Sequence, residues 1–207
     1  KEAFKLIVEN IADFDFNKND NARLGDMGCA AGVLPNFIKS NFENIDVIGY
    51  EYLEELLATA RKVYPNINFE KVDVTDSQSL KPQSLDIITM SGVLSIFDNA
   101  EKIISNLLNW IRPGGRILIF NLFNAYDYDV FIKYKHSRET MEDGLESGWN
   151  IISQKSVSLY LEKQGIKKYE FIKFTMPFDI KKNNEDYIRS WTEKDADSSR
   201  YITNGLN

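Results

Sequence analysis

The sequence predicts an α/β protein organised around a doubly wound, mostly parallel sheet. Short apolar runs alternate with stretches in which apolar residues recur every three or four positions, and these are the spacings of buried strands and amphipathic helices. A turn of small residues, 28–32, joins the first run to a helix that has Pro35 in its first turn. Strands and helices in regular alternation predict βαβ units, and therefore helices on both faces of a parallel sheet.

The predicted elements follow one another in chain order. An amphipathic helix over residues 3–11 and a polar loop over 13–21 lead into the first strand. The predicted strands cover residues 22–27, 46–51, 68–74, 85–90, 116–123 and 168–176. The later predicted helices cover residues 33–42, 52–63, 98–111 and 153–163.

Local signals fix several of these boundaries. Asp98 followed by Glu101 predicts a capping box at the start of one helix, and Ser153 is the predicted N-cap of the last. The Pro-Gly-Gly sequence at 113–115 predicts a break before the fifth strand. The polar stretch 177–207 is predicted to contain no strand.

Composition indicates a soluble globular protein and argues against several classes of partner. The 207 residues suffice for one α/β domain, so residues 1–207 are predicted to form a single domain. A net charge of −6 without a basic stripe argues against nucleic acid. The sequence has neither a membrane-spanning apolar run nor a signal-peptide layout, so no membrane partner is expected. The single cysteine, Cys29, cannot form an intrachain disulfide, which predicts a cytoplasmic location.

The small-residue turn after the first strand predicts a ligand site. Its pattern is Asp26-x-Gly28-x-Ala30-x-Gly32, which matches neither the dinucleotide fingerprint G-x-G-x-x-G nor a phosphate-binding loop, because no Lys follows Gly32. Small residues let the backbone approach a ligand closely, and the following helix start offers free N–H donors and a partial positive charge. Cys29 is expected to pack within the turn.

Acidic and polar residues close the next three predicted strands. Glu51 ends the second strand, Asp73 the third, and Ser91 follows the fourth. The carboxyl ends of parallel strands share one edge of the sheet, where ligands of this fold class bind. Glu51 can accept hydrogen bonds from a ribose diol, and Asp73 with the Val74 N–H can meet an adenine edge. With Asp26, these carboxylates form an acidic pocket that suits a sulfonium and an ammonium group.

These motifs, in register over residues 22–123, resemble those of the class I S-adenosylmethionine-dependent methyltransferases. The resemblance includes the Arg-Pro-Gly-Gly-Arg sequence before the fifth strand, while Ala30 replaces the middle glycine of the first motif. It implies a Rossmann-like methyltransferase topology, S-adenosyl-L-methionine as methyl donor and S-adenosyl-L-homocysteine as product. No metal site is predicted. The cofactor-binding residues that it implies are Asp26, Gly28, Cys29, Ala30, Gly32, Glu51, Tyr52, Asp73, Val74 and Ser91.

The family's sheet normally closes with a seventh, antiparallel strand. Residues 200–207 are short and polar for that role. We therefore expect the chain to be truncated before the closing strand, or the sheet to be one strand short.

Departures from family motifs bear on the acceptor. The fourth strand is followed by Ser-Gly-Val-Leu rather than the Asn/Asp-Pro-Pro-aromatic motif of enzymes that methylate amino groups of DNA or protein glutamine, and no Pro-Cys nucleophile is present. The long, aromatic segment 124–150 is predicted to be a substrate lid. The predicted substrate-binding residues are Tyr126, Tyr128, Tyr134, Trp149 and Arg189. His136, the only histidine, is the candidate general base.

The expected reaction is O-methylation of a small polar acceptor: a sugar, a phosphorylated metabolite or a surface-polysaccharide precursor. The stretch 148–151, Gly-Trp-Asn-Ile, resembles bacterial family members that modify such molecules. Three alternatives stay open at this point: N-methylation of a small amine, a nicotinamide-dependent oxidoreductase on a similar sheet, and a catalytically silent subunit that binds the cofactor.

Overall fold

Five parallel strands form the central sheet, in the order β3-β2-β1-β4-β5. The computed structural model describes residues 2–14, 22–175, 177–183, 185, 191–194, 196 and 200–203. The strands are β1 Arg23–Met27, β2 Asp46–Glu51, β3 Asn68–Lys71, β4 Leu85–Ser91 and β5 Ile111–Phe120. The strand order reverses direction between β1 and β4, which is the switch point where ligands bind in such sheets. The predicted doubly wound fold is confirmed.

Five helices accompany the sheet in the described part of the chain. They are α1 Glu2–Ala12, α2 Val33–Asn41, α3 Glu54–Val63, α4 Ala100–Trp110 and α5 Gln154–Lys163. Successive residues of β4 show why both faces are covered, because side chains alternate along a strand. Ile87 packs with residues of α1 and α2, whereas Ile88 packs with residues of α4 and α5. β4 is therefore buried on both faces.

The fifth strand differs from its prediction at both ends. Pairing with β4 begins at Ile111, shifts register across residues 112–115, and resumes at Arg116 opposite Ile87. The Pro-Gly-Gly sequence therefore forms an irregularity within the strand rather than a break before it. The strand ends at Phe120, and a separate short strand, β6 Phe123–Asn124, pairs with β9 Ile152–Ser153.

The cap of α4 is Asn99, so the capping box predicted from Asp98 is wrong. The Asn99 side chain accepts a hydrogen bond from the Lys102 N–H at 2.9 Å. Asp98 lies one residue before this cap and bonds to a different part of the chain, described below. The predicted cap at Ser153 is confirmed, since its side chain accepts from the Ser156 N–H at 2.9 Å.

Residues 130–151 form an antiparallel hairpin, called here the acceptor hairpin. Its arms meet through the bridge between Val130 and Ile151 and through strands β7 Lys133–Tyr134 and β8 Glu146–Ser147. Within the predicted lid, 124–150, the structure thus has more regular pairing than the sequence indicated. Weak periodicity hid it, because the paired stretches are two residues long.

The region after α5 departs most from the sequence predictions. Residues 168–175 contain no strand, so the predicted sixth strand is wrong over these residues, and Met176 lies outside the described residues. Contacts between aromatic rings hold this segment instead. The ring centroids of Phe171 and Phe123 are 5.9 Å apart, and those of Phe174 and Phe120 are 5.2 Å apart. Beyond it, β10 Trp191–Lys194 pairs with β11 Arg200–Thr203, although no strand was predicted there.

The helices also bear on whether the chain could cross a membrane. Within the described ranges, none combines the length and the apolar character needed to cross a bilayer.

Candidate active site

The small-residue turn between β1 and α2 is fixed to the neighbouring strand. The N–H groups of Gly28 and Cys29 both donate to the Tyr50 carbonyl, at 2.8 and 2.9 Å. Gly28, Ala30 and Gly32 have φ angles of 71°, 48° and 83°, all in the left-handed region. Alanine therefore occupies a conformation that costs about 1–2 kcal/mol for a residue with a Cβ. The turn keeps the geometry that the glycine pattern predicted.

Asp26 lies near the end of β1 and is almost fully buried. Its Oδ1 accepts a hydrogen bond from the Thr89 hydroxyl at 2.7 Å, across the β1–β4 pair. Burial raises the pKa of this carboxyl to about 7, because the charged form loses its hydration; the Thr89 bond opposes the shift and the charge of Glu51 adds to it. Asp26 and Glu51 are therefore close enough to interact.

Glu51 fastens two turns together at the end of β2. Its Oε2 accepts from the Ala30 N–H at 3.0 Å, and its Oε1 accepts from the N–H groups of Tyr52 and Leu53 at 2.8 and 3.0 Å. The predicted ribose acceptor thus also organises the backbone around it. A carboxylate oxygen has two lone pairs, so Oε2 retains capacity for a ligand hydroxyl. Tyr52 follows with its ring exposed.

Asp73 lies two residues beyond the end of β3. Its Oδ1 accepts from the N–H and the hydroxyl of Thr75, at 2.8 and 2.7 Å. In the part of the chain that the structure describes, no donor reaches Oδ2 and nothing accepts from the Val74 N–H. This acceptor and donor side by side match the amino group and ring nitrogen of an adenine edge.

A long groove runs along β5 and the segment after α5, and one end of it reaches the carboxyl ends of β4 and β5, beyond Ser91, which is half-buried. Uncharged polar groups line this end of it, and the Ser95 N–H donates to Asn121 Oδ1 at 3.3 Å. Trp149 also lines the groove, with 39% of its surface exposed. We call this part the acceptor mouth. Its residues are Gly92, Ser95, Asn121, Trp149 and Gln154.

The other predicted substrate residues lie farther out on the acceptor hairpin and the segment before it. Tyr126 and Tyr128 are largely exposed, and the Tyr134 hydroxyl donates to Glu146 at 2.9 Å. None of these three lines the groove described above. Arg189 lies outside the described residues. The roles of these residues stay predictions.

His136 lies in the exposed turn of the acceptor hairpin. Its Nδ1 accepts a hydrogen bond from the backbone N–H of Arg138 at 3.2 Å. The backbone N–H of His136 donates to Glu139 Oε2. A neutral imidazole that accepts at Nδ1 carries its proton on Nε2. The ring must release Arg138 before it can accept a proton from a substrate.

Cys29 packs in the turn, as expected from its size. Its thiol is buried, and burial together with the charges of Asp26 and Glu51 raises its pKa to about 12. The thiolate is therefore scarce at neutral pH, and the cysteine serves as a packing residue.

Sequence reasoning missed several residues that shape the site. Thr89 was assigned to a continuous apolar strand, although a threonine in such a run is itself a signal of a buried partner. Asn121 and Asn150 carry no local signal, because their partners lie 26 and 52 residues away in the chain. Asp98 was assigned to a helix cap that Asn99 provides.

The hydrogen-bonding groups at this edge of the sheet fit the adenosyl cofactor that the resemblance implies. Glu51 and Asp73 offer carboxylate oxygens at adjacent strand ends, and Val74 offers an N–H. A Cβ on Gly28 would lie 2.4 Å from Val93 Cγ2, and one on Gly49 would lie 2.8 Å from Cys29 Sγ. The backbone at this edge therefore packs more tightly than larger residues would allow.

Comparisons with known proteins find methyltransferases. A family model described as a methyltransferase domain matches residues 26–117. A trans-aconitate 2-methyltransferase of Variovorax paradoxus is 30% identical over 98 residues, which cover 47% of this chain and 38% of the relative. A malonyl-[acyl-carrier protein] O-methyltransferase of Halalkalibacterium halodurans is 23% identical over 125 residues, covering 58% of this chain and 45% of the relative.

The fold has a counterpart among solved structures. An S-adenosylmethionine-dependent methyltransferase from Mesorhizobium loti superposes with a TM-score of 0.51 and 17% identity, covering 70% of this chain and 74% of that one. The chain spans less than half the length of the two curated relatives described above. The matched region contains the turn, the acid that ends β2 and Asp73 beyond β3. The family model over residues 26–117 and the methyltransferase relatives support a class I S-adenosylmethionine-dependent methyltransferase domain in this chain, and the solved structure supports its fold.

Proposed function

We propose that the chain transfers a methyl group from S-adenosyl-L-methionine to a hydroxyl of a small, uncharged polar acceptor, such as a sugar or a surface-polysaccharide precursor. The observation that carries the proposal is the arrangement of Asp26, Glu51 and Asp73 at the ends of three neighbouring strands, beside the tight turn. Three carboxylates at one edge favour a ligand with positive charge and several hydroxyl and amino donors.

Each residue has a distinct role toward the cofactor. Glu51 would accept from the ribose hydroxyls through the free capacity of Oε2, and Asp73 with Val74 would hold the adenine edge. The turn, through its backbone, would lie against the remainder of the molecule. Asp26 lies deepest and is largely protonated below pH 7. An ammonium group beside it would favour its charged form, so we expect proton release on binding near neutral pH.

The acceptor mouth supports the choice of an uncharged acceptor. Ser95, Asn121 and Gln154 offer hydrogen-bonding groups without charge, and Trp149 offers an aromatic face with a polar edge. Polar hydrogen bonds together with a flat apolar surface suit a sugar ring. Phosphorylated acceptors stay within the proposal only if their phosphate projects away from this mouth.

The chain's contribution to catalysis would be alignment and water exclusion. The cofactor, when bound, supplies an electrophilic methyl group on a sulfonium. The acceptor mouth would hold the hydroxyl oxygen in line with that methyl carbon, and alignment of this kind can contribute about 7–11 kcal/mol. The acceptor hairpin, as the predicted lid, would limit access of water. His136 would take the hydroxyl proton only after leaving the Arg138 N–H.

Two measurements test the proposal. Calorimetry with S-adenosyl-L-homocysteine and, separately, with NAD should show binding of the first alone. Transfer of a labelled methyl group should then be assayed with nucleotide sugars, free sugars, sugar phosphates, trans-aconitate and small amines. Labelled sugar supports the proposal, and labelled trans-aconitate or amine as the preferred product contradicts the acceptor class. Binding of NAD without binding of S-adenosyl-L-homocysteine would contradict the proposed methyl transfer.

A further inference from the structure

Asn150 is the most fully engaged polar side chain of the acceptor hairpin. It has no exposed surface. Its Oδ1 accepts from the Ile132 N–H at 2.9 Å, and its Nδ2 donates to the Phe97 carbonyl and to Asp98 Oδ1, both at 3.1 Å. Its own N–H donates to the Ser95 carbonyl at 2.8 Å. A buried amide with both of its ends satisfied by distant partners fixes those partners relative to one another.

These bonds connect two parts of the chain. The bonds to Ser95, Phe97 and Asp98 reach the loop after β4, residues 92–98, and the bond to Ile132 reaches the opposite arm of the hairpin. Asp98 strengthens the same connection, since it also accepts from the Ser147 hydroxyl at 3.2 Å and pairs with Lys133. Both arms of the hairpin are thus bound to the loop after β4.

The loop after β4 also touches the cofactor turn. A Cβ placed on Gly28 would lie 2.4 Å from Val93 Cγ2, so the two segments are in direct packing contact. The same loop supplies Gly92 and Ser95 to the acceptor mouth, and Trp149 adjoins Asn150 in the chain. A continuous path of contacts therefore runs from the turn, through the loop after β4, to the hairpin.

We propose that Asn150 is a positioning residue that fastens the acceptor hairpin to the loop after β4, and so couples the order of the hairpin to occupancy of the cofactor site. The proposal rests on the proposed function, because it takes the turn to be the cofactor site. Asn150 touches neither reactant. It acts by holding Trp149 at the acceptor mouth and both arms of the hairpin against the loop after β4.

Hydrogen exchange with and without saturating S-adenosyl-L-homocysteine tests the coupling. In the unmodified protein, the ligand should slow exchange of residues 130–134 and 146–151 by about tenfold, within the 5- to 150-fold range of typical couplings between sites. In Asn150→Ala this slowing should disappear from both arms, while exchange of β1, β2 and β4 remains protected. Calorimetry on the same samples reports whether the ligand is bound.

Two further variants separate coupling from general destabilisation. Ile103→Val removes a buried methylene from α4 and weakens the core without touching the hairpin, so it should keep the ligand-dependent slowing. Asp98→Ala removes an exposed acceptor shared by Lys133, Ser147 and Asn150, and it should reduce the slowing even where Asn150→Ala does not fold.

The possible outcomes are distinct. The coupling is overturned if the ligand binds the unmodified protein without slowing hydrogen exchange in the hairpin. It is also overturned if the slowing persists in both Asn150→Ala and Asp98→Ala. Either result leaves the proposed function standing. If the ligand does not bind the unmodified protein, the proposed function fails. Slowing lost in the two variants and kept in Ile103→Val supports the assignment of Asn150.

Discussion

The Thr89 hydroxyl donates a 2.7 Å hydrogen bond to Asp26 Oδ1 between the two central strands of the sheet, where both residues are almost fully buried. The bond favours the carboxylate, while burial favours the neutral acid. Burial is the larger effect, and the pKa of Asp26 stays near 7. The proposed cofactor site thus contains a carboxyl group that changes charge near physiological pH.

Asp26 should make the stability of the protein depend on pH between about 4 and 7. The folded state holds a proton on Asp26 throughout this window and the unfolded state does not, so the free energy of unfolding falls as pH rises. A shift from 3.8 to about 7 corresponds to a loss of about 4 kcal/mol by the upper end. Urea unfolding of the unmodified protein and Asp26→Asn across this range measures it. A constant difference between the two would contradict the assignment.

Thr89→Val should move the upper end of that window to higher pH. The substitution removes the O–H donor that favours the charged form, so the pKa of Asp26 should rise above about 7. The ¹³C chemical shift of the Asp26 carboxyl, followed by pH titration, measures the change directly. Thr59→Val is the control, since the Thr59 hydroxyl donates to the Glu55 carbonyl on the exposed face of α3. An unchanged titration in Thr89→Val would show that the hydroxyl does not stabilise the carboxylate.

Asp73→Asn should weaken binding of S-adenosyl-L-homocysteine by about ten- to a hundredfold. A hydrogen bond to a charged group contributes about 1.5–3 kcal/mol, and the Asn side chain can still accept from Thr75. Glu51 is a poorer target, because its removal leaves three backbone N–H groups without their acceptor.

Asp76→Asn is the matched control for this change. Asp76 lies three residues on and caps a short 3-10 turn through the Gln78 N–H, at an exposed position. Calorimetry should find its affinity for the ligand unchanged. Equal losses in Asp73→Asn and Asp76→Asn would indicate a general electrostatic effect instead of a contact with the ligand.

The sequence predicted the central sheet because the signals for it are local. Glu51 and Asp26 were found as acids at the ends of short apolar runs, and the turn between β1 and α2 was found from residue spacing. The strand predicted at 168–176 shows the limit of local signals. Alternation of apolar and polar residues does not say whether a neighbouring strand is available to pair. The rings of this segment pack on Phe120 and Phe123 instead.

The acceptor side illustrates the same limit. Asp98 satisfied a local capping pattern, yet its side chain bonds to Asn150, 52 residues farther along the chain. Asn99 then caps the helix, because it lies one residue nearer and presents the same kind of acceptor. Competition between a short-range and a long-range partner is decided by tertiary packing, which the local pattern does not contain.

His136→Asn should reduce methyl transfer by less than about tenfold. The imidazole Nδ1 is occupied by the Arg138 N–H, and general-base catalysis would contribute about 10²–10⁴-fold if the ring took part. Labelled methyl transfer to the preferred acceptor measures the rate, once that acceptor is identified. A loss of a hundredfold or more, together with loss of a pH dependence near neutrality, would establish His136 as the base.

Gly28→Ala should both destabilise the protein and abolish tight binding of S-adenosyl-L-homocysteine. Its φ of 71° costs an alanine about 1–2 kcal/mol. The added Cβ would also lie 2.4 Å from Val93 Cγ2, and overpacking of this kind costs about 1–3 kcal/mol more. Val93 is β-branched and has little freedom to turn away. The turn should therefore shift, and with it the backbone that faces the ligand.

Two further variants separate the cost of the left-handed backbone from the cost of the contact with Val93. Gly114→Ala has a similar φ of 82° but open space around its Cβ, so it should show the backbone cost alone and bind the ligand normally. Val93→Ala added to Gly28→Ala should remove the steric conflict and recover part of the affinity, since the left-handed strain remains. Urea unfolding and calorimetry on the three proteins make the comparison. If Gly28→Ala loses no more stability than Gly114→Ala and keeps its affinity, the close contact between the turn and the loop after β4 does not constrain the cofactor site.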